Sequence, residues 1–227
     1  MPSPLLETVA WLSLGLAMLC AAAILVDILA FGYRQPMGVM EWVWPITALY
    51  LGPLGLAFYW RVGRRRTERY QADHGEQHFP DWVRMGVAST HCGGGCTLGD
   101  IVAETAIGVL GLSLLGATIW ASFVLDYTLA LAFGVAFQFA AISAMSRQPA
   151  RVRLRRAAKA DVLSLTAFEV GLFGWMALMF FVLFPDPHLE PSEPTYWFLM
   201  QIGMALGLVT SYPMNVLLIR RGIKEMM

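Results

Sequence analysis

Long apolar runs alternate with short charged runs along almost the whole chain. A hydrocarbon core of about 30 Å is crossed by about 20 apolar residues in an α-helix. Six segments satisfy that length: 6–31, 42–60, 98–123, 127–145, 162–184 and 196–219. The pattern predicts an all-α integral membrane bundle of about six transmembrane helices, forming one domain over 1–227. The third and fourth helices pair through a tight turn around Asp126. The one longer connection, 61–97, is expected in the cytoplasm or in the membrane interface, and its "FPDWVRMGVAS" segment is amphiphilic.

Composition agrees with the pattern. The chain has 227 residues, of which 57% are hydrophobic and 14% charged, with mean hydropathy +0.58; a soluble domain averages about 45–50% apolar and about 25% charged. The first apolar run has no basic residue before it and exceeds the roughly 7–15 residues of a signal-peptide core, so it is read as a retained helix. Net charge is zero, which gives no reason to expect a nucleic-acid partner; the lipid bilayer is the expected surrounding.

The distribution of charge sets an orientation. Basic clusters "RVGRRRTER", "RQPARVRLRRAAK" and "RRGIK" follow the second, fourth and sixth segments, whereas "PDPHLEPSEP" between the fifth and sixth has none, and the loop after the first carries only Arg34. Positively charged loops stay on the cytoplasmic side. With six spans this places both termini in the cytoplasm. Asp27 then falls near the opposite face, where it is expected to be solvated.

The candidate chemistry lies in "STHCGGGCTLGDIVAE", residues 89–104. Thr97 and Asp100 match a capping box, which starts a helix at Leu98, and three glycines before it permit positive φ and a sharp turn. His91, Cys92 and Cys96 would then converge. Two thiolates and an imidazole suit Cu(I) or Zn(II), with Cys20, a methionine or Asp100 as a further ligand. Two other chemistries fit the same residues: a Cys92–Cys96 dithiol/disulfide couple, and an anion cradle at the helix N-terminus, which Asp100 and Glu104 oppose. A glycine-rich helix entry with inert cysteines fits as well.

Ionisable groups at membrane depth are costly and mark candidate sites. Asp100 and Glu104 lie four apart on one helix face; Glu169, Gln138 and Asn215 lie inside other segments, with Asn215 next to the Pro213 break. Glu104, Glu169 and Asn215 are expected at similar depth in the cytoplasmic half, as charge compensation or a proton route together with Asp100. Met176, Met179, Met200, Met204 and Met214 fit core packing better than a soft-ligand path.

Segments 43–53, 90–104, 159–177 and 211–227 resemble a family of bacterial polytopic membrane proteins catalogued as a domain of unknown function, DUF4396. The resemblance implies a multi-helix protein of the bacterial inner membrane and brings no activity with it. The residues themselves favour an integral membrane protein, more readily a carrier than an enzyme, that binds and moves a soft transition-metal ion. Cu(I) is the first choice, with His91, Cys92 and Cys96 as ligands. A membrane thiol oxidoreductase and a non-catalytic membrane subunit or scaffold are the alternatives, and the partners considered are a second copy of the chain or another membrane-complex subunit.

Overall fold

A computed structural model describes residues 2–224. It is helical, and no β-strand occurs among the described residues beyond a single bridge between Leu114 and Ala117. The elements are α1 (Pro4–Leu29), α2 (Met40–Leu51), α3 (Pro53–Phe58) with a π-turn to Gly63, α4 (Glu68–His74), α5 (Asp81–Leu110), α6 (Thr118–Met145), α7 (Ala150–Leu178) with a π-turn to Leu183, and α8 (Pro194–Arg220). Four helices are long and apolar enough to cross a membrane: α1, α6, α7 and α8. The 30-residue α5 carries more polar residues and packs among the others at the centre.

Residues 42–60, expected to form a second span, form a hairpin instead. Gly52 takes φ 54° and ψ −127°, and Pro53 follows it. Glycine adopts this backbone without a Cβ penalty, and proline starts the returning helix without needing an N–H. The return is tight: a Cβ on Gly55 would lie 2.9 Å from the Ala48 Cα. Trp44 near the start of α2 meets Phe58 and Tyr59 near the end of the return, with ring centroids 5.4 and 5.7 Å apart.

The hairpin therefore enters and leaves at one end of the bundle. That end is fixed by Asp27, near the last turn of α1. Asp27 is buried, accepting from Tyr59 Oη at 2.7 Å and from Arg64 Nε at 3.1 Å. The solvated Asp27 of the sequence reading is thus an ion-paired one. A spanning 42–60 segment would have carried Arg64 to the far end of α1.

α1 and α8 run parallel. Ser13 donates to Gln201 at 2.8 Å near their first halves, and Ile28 and Ile219 belong to one core cluster near their last turns. The start of α1 and the end of α8 are consequently at opposite ends of the bundle. The expectation of both termini on one side rested on counting the hairpin as a crossing. Met1 and residues 225–227 lie outside the described residues.

Three further boundaries move. α5 starts at Asp81, not at Leu98, and absorbs the amphiphilic segment and the whole "HCGGGC" motif. It ends at Gly111 in the left-handed conformation (φ 64°), so the turn to α6 is 111–117 and Asp126 lies two turns inside α6. The basic stretch before Val162 is the first part of α7, not a loop.

The glycines explain why α5 stays helical. Methyl groups on Gly94 and Gly95 would sit 3.2 Å from Val43 Cγ2 of α2 and 2.7 Å from the Gly134 Cα of α6. Gly99 lies against Ala130 in the same way. Gly95 and Gly99 form a small-xxx-small pair, the spacing that lets helix backbones approach within a bilayer.

Candidate functional site

Inside a continuous helix, four-residue steps return to nearly the same face, at 3.6 residues per turn. Cys92, Cys96, Asp100 and Glu104 stand at such steps on α5. They form a ladder about 18 Å long by the 1.5 Å rise per residue. All four are buried, Asp100 and Glu104 with no exposure at all. The other helices supply partners rung by rung.

At the first rung, Ser164 of α7 hydrogen-bonds both Cys92 Sγ, at 3.0 Å, and Asn215 Oδ1 of α8, at 2.9 Å. Asp161 lies beside Cys92, seated over Gly134 where a larger residue would collide. At the second rung the Cys96 and Cys92 thiols neighbour each other. Tyr50, at the tip of the hairpin, joins the same cluster as Cys92 and Cys96, with Thr47 beside its hydroxyl. At the third rung Asp100 faces Glu169 of α7. Among the described residues both oxygens of each carboxyl lack a hydrogen-bond partner.

At the fourth rung Glu104 Oε2 accepts from Tyr196 Oη of α8 at 2.6 Å. Asp126 and Ser122 of α6 adjoin it. A cavity lined by Glu104, Thr118, Ser122, Met176, Tyr196 and Pro191 leads from this rung toward the 184–193 connection. A second cavity, sharing Thr118 and Pro191 and reaching Ser113, His188 and Glu190, continues it.

The expected site residues are thus partly assembled and partly separated. Cys92, Cys96, Asp100, Glu104 and Glu169 share one axis. His91 sits about 100° around the helix from Cys92 and its ring lies near Phe137 of α6, centroids 6.3 Å apart. Asn215 joins the axis only at the Cys92 end, whereas Glu104 is near the opposite end. The three residues expected at one depth are therefore spread along the bundle, because α5 begins 17 residues earlier than expected. Cys20 packs in a different cluster with Ala21, Val87 and Ala141.

Among the described residues no three His, Cys, Asp or Glu side chains converge as a metal-ligand set. A Cys92–Cys96 disulfide also fits a regular helix poorly. Side chains four apart hold their Cβ atoms about 5–6 Å apart, against about 3.5–4.5 Å in a disulfide. The loop that would have cradled an anion is helical, so its N–H groups are committed to the helix. The Thr97–Asp100 cap falls with it: among the described residues the Thr97 hydroxyl and both Asp100 oxygens have no hydrogen-bond partner.

Asp126, Asp161, Tyr50, Tyr196 and Lys224 belong to the axis and were not singled out by sequence reasoning. One signal was present for Asp126. It interrupts "ASFVLDYTLALAF" with no glycine or proline beside it, whereas "GLSLLGA" (111–117) holds two glycines. The turn belonged to the glycines and the aspartate to the helix.

Comparison with curated proteins and with solved structures gives no match. The profile of one family, a domain of unknown function, matches residues 81–224. The match begins with α5 and takes in α6, α7, α8 and the turn after it; the hairpin segment 43–53 lies outside it. With more than half of its length matched, this chain belongs to the DUF4396 family.

Proposed function

We propose that the protein is a cation carrier of the bacterial inner membrane that moves a soft transition-metal ion along the α5 ladder. The observation that carries this reading is the ladder itself: two thiols and two carboxyls at four-residue steps, buried in the bundle, with Glu169 and Asp126 beside them. Buried ionisable side chains are expensive in a membrane and are kept where ions or protons pass. The hairpin supports the same reading. Its first helix, α2, ends at Leu51 near the thiol rungs, and a helix C-terminus carries partial negative charge that favours a cation.

Cu(I) is the favoured cargo. Zn(II) takes four ligands in structural sites and three plus water in catalytic ones, and no convergent trio is present among the described residues. A pair of thiols suits Cu(I), which soft thiolates select. The acids beyond the thiols supply negative charge to the passing ion and a return route for protons.

The membrane frame has five crossings, α1, α5, α6, α7 and α8, with α2–α3 as a re-entrant hairpin. Non-helical backbone at membrane depth is tolerated where protein covers it. The Arg-rich end faces the cytoplasm, which puts the N-terminus outside and the C-terminus inside.

Uptake by proteoliposomes tests the function. Cu(I) supplied under reducing conditions is expected to enter vesicles containing the protein. Cys92→Ser/Cys96→Ser is expected to lose the uptake together with bound copper, and Asp100→Asn to slow uptake at least tenfold. Uptake equal to that of protein-free vesicles overturns the reading.

A further inference from the structure

At the Arg-rich end of the axis stands a group with no part in the proposed ion ladder: a buried ammonium. α8 stops at Arg220. Gly222 takes φ 67°, and the N–H groups of Ile223 and Lys224 return to the Leu218 carbonyl at 3.0 and 3.3 Å. This turn folds the chain back along α8. The Lys224 side chain, with 0% exposure, donates to Asn215 Oδ1 at 2.7 Å and lies 3.8 Å from Asp161 Oδ1, itself 1% exposed. Asn215 Oδ1 also accepts from Ser164, which reaches Cys92.

Lysine is almost never fully buried unless paired, and removing one partner of a buried pair is strongly destabilising. The group is therefore held by a receptor of stated chemistry: one carboxylate for charge and one amide oxygen for direction. Besides Lys224, the Cys92 thiol is the polar neighbour of Asp161, and Lys224 is the cation that faces it. Gln138 and Arg156 line the small cavity beside Lys224.

We infer that Asp161 and Asn215 form a binding site for a monovalent cation of the primary-ammonium type, filled in the resting protein by the chain's own Lys224. The tethered amine stands between the Arg-rich end and the Cys92 rung. Its removal opens Cys92 to water, and a free ammonium ion of the right size refills the site. Only its meaning as a stopper on a conducting path rests on the carrier reading; the site itself does not.

Thiol accessibility reads the site without any transport measurement. In a Cys20→Ser/Cys96→Ser background Cys92 is the single thiol, and its alkylation by iodoacetamide is followed in detergent solution. Lys224→Ala is expected to raise the alkylation rate at least tenfold. Propylammonium, the missing part of the side chain, is expected to return it saturably toward the parent rate, and tetramethylammonium, which has no N–H, is not. An unchanged rate in Lys224→Ala, no response to propylammonium, or an equal response to both ions overturns the inference. Asp161→Asn/Lys224→Met, neutral and similar in bulk, controls for unfolding by its circular dichroism. Protection of Cys92 by propylammonium in that variant also overturns the inference, since Asp161 would not be the receptor. Absence of Cu(I) uptake by the unaltered protein, with amine rescue intact in the single-thiol protein, counts against the carrier alone.

Discussion

Asp126 is an acid buried to 0% exposure in α6, with Glu104, a second acid, as its polar neighbour. A buried polar group whose hydrogen bonding is incomplete costs about 1–3 kcal/mol, and under the proposed carrier function that cost is borne for the cation path. Asp126→Leu is expected to stabilise the protein by about 1–3 kcal/mol in detergent denaturation while slowing cation uptake at least tenfold. A loss of stability would show that Asp126 is a structural partner instead. Tyr196 has the opposite role. Its hydroxyl is the donor to Glu104 Oε2, and a typical intramolecular hydrogen bond contributes about 0.5–1.5 kcal/mol. Tyr196→Phe is expected to destabilise by about that amount, read from the same denaturation curves; an unchanged midpoint would remove this bond from the account. At this scale the sequence was legible where residue type alone decides. Glu104, Asp100 and Glu169 are improbable in an apolar run and do reach the buried axis. Lys224 was not legible, because only the backward turn after α8 turns a tail residue into a buried one.

The element that changes most between sequence and structure is α5, and one physical choice decides it. Glycine costs about 1 kcal/mol relative to alanine within a helix in water, so three in succession read as a turn. In a crowded bundle the same residues remove the Cβ atoms that would hold α2 and α6 away. Gly95→Ala is expected to destabilise by about 1–3 kcal/mol through overpacking, since its Cβ would meet the Gly134 Cα at 2.7 Å. Gly15 of α1 has nothing within 4 Å of its Cβ position, so Gly15→Ala is expected to be neutral or stabilising by up to about 1 kcal/mol. Thermal unfolding of the two variants side by side checks the argument; an equal response would mean that close packing is not what keeps α5 helical. The signal was available, because Gly95 and Gly99 follow the small-xxx-small spacing. Reading the glycines for turn freedom instead moved the helix start to Leu98 and bunched the acids at one depth. The second span failed for a related reason: length and apolarity do not reveal whether a Gly-Pro break kinks a helix or reverses it.

At the scale of the whole molecule the reversal has a consequence for charge. Under six crossings Arg34 stands alone on the acidic side. With 42–60 folded back, Gln35 accepts from Trp44 at 3.0 Å, and Arg69 donates to the Phe31 carbonyl at 2.5 Å. The 30–39 connection is thereby tied to the Arg-rich end. All sixteen Lys and Arg residues then lie toward one end, and the acids of 184–193 toward the other. Of the two frames, the proposed five-crossing one keeps every Lys and Arg on one side, as the positive-inside rule asks. Single cysteines in a cysteine-free background discriminate the two frames. Ser3→Cys is expected to react with a membrane-impermeant maleimide on intact cells, as is Ser192→Cys. Gly38→Cys, at a position where a new side chain meets nothing within 4 Å, is expected to react only after permeabilisation. Six crossings reverse the expected results for residues 3 and 38 and leave residue 192 unchanged. Residue 192 therefore reports that the assay works, and the pair at 3 and 38 decides between a hairpin that dips into the bilayer and a helix that crosses it.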